Sequence, residues 1–130
     1  VATADSPEEQ VLYAFVTLYV KEKTGVESTY VEIAGGQKPL KLIDDDKADL
    51  VLAATAADHE NVVFAIEDYP GLVSGKRPYE DLQFTTVLPA LKKLNGLLNK
   101  EDIDLVVGRV NAGESAMSVV RKFLMERRWI

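Results

Sequence analysis

The sequence predicts an α/β domain, a three-layer sandwich with a mostly parallel sheet. Strand patterns alternate with helical patterns along the chain, which is typical of parallel sheets joined by right-handed helical crossovers. Residues 48–54 are apolar almost without interruption, as in a strand covered on both faces. The length of 130 residues is usual for one domain, so we expect a single domain over residues 1–130.

The first predicted element is an amphipathic helix that begins at Pro7. Ser6 is a good cap, proline suits the first helical position, and Glu9 completes a capping box. Gly25 is a typical residue just past a helix end. The apolar residues recur at helical spacing, and they are Val11, Leu12, Phe15, Leu18 and Tyr19.

Strands and one short helix are predicted next. Residues 26–33 have the β-branched and aromatic composition of a strand, and a short helix over 37–46 contains Pro39 in its first turn. Further strands are predicted at 48–54 and 62–66. The Gly, Pro and Ser of residues 69–78 predict turns or a mobile loop there.

The last third of the chain is predicted to be helical. Residues 81–98 have leucines on one broad face, and Asn99 is a good cap for a helix over 100–107. Glu101 and Asp102 favour the start of that helix through its dipole. Ser115 opens a final helix whose apolar stripe is Val119, Val120, Phe123 and Leu124.

Composition excludes several classes of function. The formal net charge of −6 opposes binding to phosphate backbones or anionic lipid, so we predict no nucleic-acid partner. The basic residues Arg121, Lys122, Arg127 and Arg128 are interpreted as cations favoured by a helix C-terminus. Cysteine is absent, which excludes disulfides and leaves the redox compartment open. The sequence begins without a signal segment, so we interpret it as a mature or trimmed product.

We predict no enzymatic activity, cofactor or metal site. His59 is the only histidine, and without cysteine it cannot anchor the usual zinc clusters. Residues 44–46 are three consecutive aspartates, which lack the alternate spacing of calcium loops. No Gly-x-Ser-x-Gly elbow and no complete dinucleotide fingerprint are present. Tyrosines and Trp129 could form a cation–π cage, but the periodicity of Tyr13, Tyr19 and Tyr30 favours packing.

Both ends of the chain resemble one protein family. Leu94 to Ile103 resembles the Leu-Ala-Gly-Lys-Ile-Thr-Asp-Glu-Glu-Met segment of the glycine betaine, carnitine and choline receptors of ABC transporters, and Ser115 to Ile130 resembles their closing helix. Ser6 to Gln10 stands where family members have Asn-Phe-Thr-Glu-Gln. Lys23-Thr24-Gly25 matches their Lys-Thr-Gly, and Ala48-Asp49-Leu50 resembles the Ile-Asp-Leu of their third strand.

The resemblance implies one lobe of a receptor. Such receptors have two α/β lobes, one built from both chain ends and one inserted between them. Residues 58–85 are too few for the inserted lobe, because independent domains seldom form below about 40 residues without help. We therefore expect one lobe of a type II periplasmic-binding-protein fold, closed by a short connection at 58–85.

The resemblance also implies a ligand edge. Residue by residue, it carries ligand contacts over to Ser6, Gln37 and Thr55, with a small quaternary-ammonium compound or another polar solute as ligand. The family's two tyrosines after its Asp-Leu are replaced by Val51 and Ala54, so two aromatic faces are lost.

Partners and location follow from the same resemblance. One lobe leaves a ligand exposed on one side, so an ABC permease, a second lobe from another chain or a second copy in a homodimer would complete the site. The implied location is periplasmic or otherwise extracytoplasmic. The alternative is a protein-interaction or sensory module that keeps the lobe fold without transport ligand binding.

Overall fold

One five-stranded sheet and six α-helices make up the described part of the chain, residues 1–3, 6–33, 38–45, 47–53 and 61–130 of a computed structural model. The strands are β1 (Ala2–Thr3), β2 (Val31–Glu32), β3 (Leu50–Ala53), β4 (Val62–Phe64) and β5 (Gly71–Ser74). The helices are α1 (Pro7–Thr24), α2 (Lys41–Asp44), α3 (Arg77–Glu80), α4 (Val87–Leu97), α5 (Lys100–Asn111) and α6 (Ala116–Glu126). A short 3₁₀ helix, Leu82–Phe84, precedes α4.

The sheet is mixed, and its longest ladder is antiparallel. The strand order is β2-β1-β3-β5-β4. Strand β5 runs antiparallel to both of its neighbours, with a register against β3 from Leu50 opposite Ser74 to Ala53 opposite Gly71. The parallel pairs all involve β1, which has two residues. The antiparallel trio β3-β5-β4 is therefore the body of the sheet.

The predicted mostly parallel three-layer sandwich, and with it the single lobe of a type II periplasmic-binding-protein fold, is wrong. The pattern of residues 69–78 predicts turns, yet Gly71–Ser74 is a strand with every residue buried. It inserts between β3 and β4 and makes both of those pairings antiparallel. In addition, Val51 packs against Leu42 of α2, a helix of only four residues. Among the described residues, the face of the sheet that carries Val51 is therefore covered by one helical turn and not by a layer of helices.

Helix α1 starts where the sequence predicts, but it is not amphipathic. The Ser6 side chain accepts a hydrogen bond from the Glu9 N–H at 3.2 Å, and the helix ends at Gly25 with φ 76°. Residues 11, 12 and 14–20 are all buried. A helix that is apolar all round is one enclosed by the protein. Here α1 lies between the sheet and the helices α4, α5 and α6.

The C-terminal helices begin at the predicted caps. The Asn99 side chain accepts a hydrogen bond from the Asp102 N–H at 2.9 Å, and Ser115 accepts one from the Ser118 N–H at 3.5 Å. Helix α4 is shorter than predicted and begins at Val87, which puts Pro89 in its first turn, where proline is tolerated. The predicted strand over 26–33 is limited to β2 because its partner β1 has two residues.

Candidate functional site

Three strands, β1, β2 and β3, end at one edge of the sheet. Ala2 pairs with Val31 in β2 and with Val51 in β3, in parallel in both cases. The Ile33 N–H donates to the Thr3 carbonyl at 2.9 Å, so β1 and β2 end side by side. Because parallel strands end at the same edge of a sheet, β1, β2 and β3 share one edge. Helix α1 follows β1 in the chain.

Ser6 is the predicted ligand residue that lies within the described part of the chain. Its hydroxyl accepts a hydrogen bond from the Glu9 N–H and donates one to the Glu9 carboxylate at 3.1 Å. The O–H of Ser6 is therefore already used as a donor within the capping box. Gln37 and Thr55 lie outside the described residues, as do Ala54 and His59.

Val51 contributes no ligand surface at this edge. Its side chain is fully buried, with an exposed fraction of 0%, and it packs with Leu42 of α2. The resemblance predicted from the sequence would place a family tyrosine here. In this chain that position belongs to the core.

Tyr13 and Tyr19 pack against protein, whereas Tyr30 is 42% exposed. The rings of Tyr13 and Tyr30 meet edge to face at 5.2 Å, and the Gln10 side-chain amide donates to the Tyr30 hydroxyl at 3.3 Å. Tyr19 is fully buried, and its hydroxyl has no hydrogen-bond partner among the described residues. Burial raises the pKa of the Tyr13 and Tyr19 hydroxyls. The prediction of packing is confirmed for Tyr13 and Tyr19.

The basic residues at the chain end include one specific ion pair. The Arg127 guanidinium donates to a carboxylate oxygen of Asp102 at 3.0 Å, and it lies 4.7 Å from the centre of the Phe123 ring. Asp102 is 6% exposed, and its second carboxylate oxygen is buried without a partner in the described structure. The sequence interpretation missed this pair because it assigned Asp102 to the dipole at one helix start and Arg127 to the dipole at another helix end.

A second polar cluster joins the turn before β5 to α5. The Tyr69 hydroxyl donates to the carboxylate of Asp104, which also accepts from Lys100 at 3.0 Å. Burial, together with the Asp104 hydrogen bond and charge, raises the pKa of Tyr69. Hydrogen bonds from Tyr69 and Lys100 lower the pKa of Asp104. Neither group changes protonation near neutral pH, so the cluster is unsuited to general acid–base catalysis.

A pocket of about 400 Å³ lies at the opposite edge of the sheet. Its lining includes Val31 and Leu50, the first residues of β2 and β3, so we name it the amino-edge pocket. The second half of α1 and the start of α4 contribute Val16, Val20 and Val87. Sequence reasoning missed it because residues from six separate segments form its walls.

No three His, Cys, Asp or Glu side chains of the described ranges converge in a way that would hold a metal ion. Within those ranges, no helix has both the length and the apolar character needed to span a bilayer. Comparison of the chain with protein-family models, with curated proteins and with solved structures finds no match.

Proposed function

We propose that the chain is a non-enzymatic binding domain for a small polar solute, related to the receptors for glycine betaine, carnitine and choline. The observation that carries this proposal is the common edge at which β1, β2 and β3 end and α1 begins. In the sequence, Gln37 and Thr55 follow the ends of β2 and β3 by a few residues. The proposal rests on this edge and on the matching segments, and not on a receptor-lobe fold.

Two carboxylates lie next to Ser6. Glu8 and Glu9 are in the first turn of α1 and are half-buried. A quaternary-ammonium solute or a zwitterion presents positive charge to such a surface. With no aromatic face at Val51, the affinity would be weak, and a permease or another chain would complete the site. An extracytoplasmic location is part of the proposal and rests on the resemblance.

Calorimetric titration tests the proposal with glycine betaine, choline and carnitine. We expect saturable heat with at least one of the three at millimolar ligand. Gln37→Ala and Thr55→Ala should each weaken binding, because they remove the polar groups that the resemblance assigns to the ligand. Thr85→Ala is the matched control, since its exposed hydroxyl bonds the Leu82 carbonyl at 3.2 Å. Absence of heat from all three solutes would sink autonomous binding.

Ser6 needs a variant that separates its two roles. Ser6→Ala removes the cap and should lower the free energy of unfolding by about 1 kcal/mol. Ser6→Asn keeps an acceptor for the Glu9 N–H and adds no charge, because asparagine is an equally good cap. A change in solute affinity in Ser6→Asn at unchanged stability would indicate direct contact with the ligand.

A second candidate is the interaction or sensory module, and the burial of Val51 favours it. The outer face of α6 also exposes Met117 and Met125, with exposed fractions of 39% and 60%, and methionine is common on adaptable binding surfaces. Sedimentation at increasing protein concentration tests a homodimer. If a dimer forms and Met125→Glu abolishes it, while no solute gives heat, the second candidate replaces the first.

A further inference from the structure

The amino-edge pocket has a floor of aliphatic side chains. Val16 and Val20 of α1, Leu50 of β3 and Val87 of α4 line it, and their exposed fractions are 1%, 2%, 6% and 5%. Its volume of about 400 Å³ falls within the range of sites for small organic ligands. Such a floor favours an aliphatic ligand body, because its binding removes apolar surface from water.

The charges on the polar side of the pocket are balanced. The Val1 ammonium, which donates to the Thr29 carbonyl at 2.8 Å, and Lys47 are positive, whereas Asp49 and Glu27 are negative. Glu27 is also paired with Lys21 at 3.0 Å. Ser28 and Thr29 also line it, and among the described residues neither hydroxyl has a hydrogen-bond partner. A neutral head group that can donate and accept a hydrogen bond matches this side better than a full charge does.

We propose that the amino-edge pocket binds an uncharged aliphatic molecule that ends in a hydroxyl group. The aliphatic body lies on the valine and leucine floor, and the hydroxyl contacts Ser28. The pocket is at the edge of the sheet opposite to Ser6, so this site is separate from the proposed solute edge. Strongly hydrated solutes such as glycine betaine do not fit it, because the apolar floor cannot replace their hydration.

Methyl NMR spectroscopy with 1-hexanol as probe tests the site directly. We expect saturable shifts of the methyl signals of Val16, Val20 and Val87, while the signals of Val119 and Val120 in α6 stay unchanged. Glycine betaine should not move the pocket signals. No shift up to the solubility limit of 1-hexanol, or equal shifts in α6, would overturn the proposal.

Two variants test the floor and the head group separately. Val26→Phe adds volume at a half-buried lining position and should weaken 1-hexanol binding about tenfold or more. Ser28→Ala should weaken 1-hexanol about fivefold and leave hexane unaffected, because it removes one hydrogen bond. If Val26→Phe does not fold, the comparison of 1-hexanol and hexane binding to Ser28→Ala still tests the proposal.

A serine outside the pocket and charged probes complete the experiment. Ser118→Ala removes an exposed hydroxyl on α6 and should leave all affinities unchanged. An equal loss in Ser118→Ala and Ser28→Ala would contradict the head-group contact. Tighter binding of hexylammonium or hexanoate than of 1-hexanol would overturn the uncharged ligand class.

Discussion

At the scale of single residues, the ion pair of Asp102 and Arg127 is asymmetric. The side chain of Asp102 is 8% exposed, whereas that of Arg127 is 47% exposed. Loss of the arginine would leave a buried and uncompensated carboxylate, while loss of the carboxylate would leave an arginine that water can reach. The two halves of one contact should therefore differ in their effect on stability.

We expect Arg127→Met to lower the free energy of unfolding by about 3 kcal/mol, the typical effect of stranding a buried charge. Asp102→Asn should lower it by about 1 kcal/mol, because it removes one charge-assisted hydrogen bond but no shape. Urea denaturation measures both values. The double variant should be less destabilised than the sum of the single variants, and equal effects of the two single variants would contradict the asymmetry.

At the scale of elements, β5 is a strand that the sequence pattern does not predict, as is the two-residue β1. Gly71–Ser74 is buried throughout and is paired on both sides, whereas β1 and β2 have two residues each. Amide hydrogen exchange should therefore be slow in β5 and β3 and faster in β2, because slow exchange follows cooperative hydrogen bonding in the core. Fast exchange at Leu72 and Val73 would contradict a strand here and would support the predicted loop.

The contact of Tyr69 with Asp104 links the turn before β5 to α5, and it predicts a pH dependence. Asp104 has a lowered pKa in the folded state, so its contribution is present above about pH 4 and is lost as the pH falls further. Tyr69 has a raised pKa, so its contribution is present below about pH 10 and is lost as the pH rises above that value.

The difference in free energy of unfolding between the native chain and Tyr69→Phe should therefore be largest between about pH 4 and about pH 10. It should decrease below and above this range. Urea denaturation at several pH values measures it. Tyr30→Phe is the matched control, because Tyr30 is exposed and its recorded hydrogen-bond partner is Gln10. A difference for Tyr69→Phe that stays constant down to strongly acidic pH would mean that Asp104 is not the relevant acceptor.

Sequence reasoning succeeds where the signal is local. The caps Ser6, Asn99 and Ser115 determine where three helices begin, and each is in place, because a cap depends on a few neighbouring residues. Sequence reasoning fails where the secondary structure of a segment depends on partners that are distant in the chain. Gly71–Ser74 has turn composition but becomes a strand because β3 and β4 lie on either side of it.

The candidate sites are less predictable from sequence than the fold. A serine at position 6 is expected both for a helix cap and for a ligand contact, so the sequence does not separate the two roles. Gln37 and Thr55 are assigned to the ligand by the resemblance alone. The amino-edge pocket has no motif, because its walls come from residues far apart in the chain. The pairing of Asp102 with Arg127 spans 25 positions and is equally absent from any local pattern.

At the scale of the whole molecule, we expect a single cooperative unfolding transition. One apolar cluster includes side chains of α1, β3, β4, β5, α4, α5 and α6, so the sheet and the helices share a core. Trp129 is the only tryptophan, and it packs edge to face on Phe123 at 5.6 Å. Its fluorescence therefore reports on the helical side, whereas far-ultraviolet circular dichroism reports on all elements.

The two signals should give coincident denaturation curves, as two-state unfolding requires. Phe15→Ala should shift both curves together by about 3–5 kcal/mol, because Phe15 is fully buried in α1 and contacts Phe123. Phe15→Leu is a milder variant in case the alanine variant does not fold. Separated curves would mean that the sheet and the helices unfold independently.

The enclosure of α1 has a consequence for biosynthesis. A ribosome delivers residues 7–24 well before residues 87–126, yet the helices of the later segment are the ones that cover α1. The nascent chain therefore carries an apolar helix without its cover until residues 87–126 have been synthesised. Exposed apolar surface of this kind promotes aggregation and recruits chaperones. A translational pause between α3 and α4 would prolong that exposure, whereas rapid translation of the C-terminal helices would shorten it.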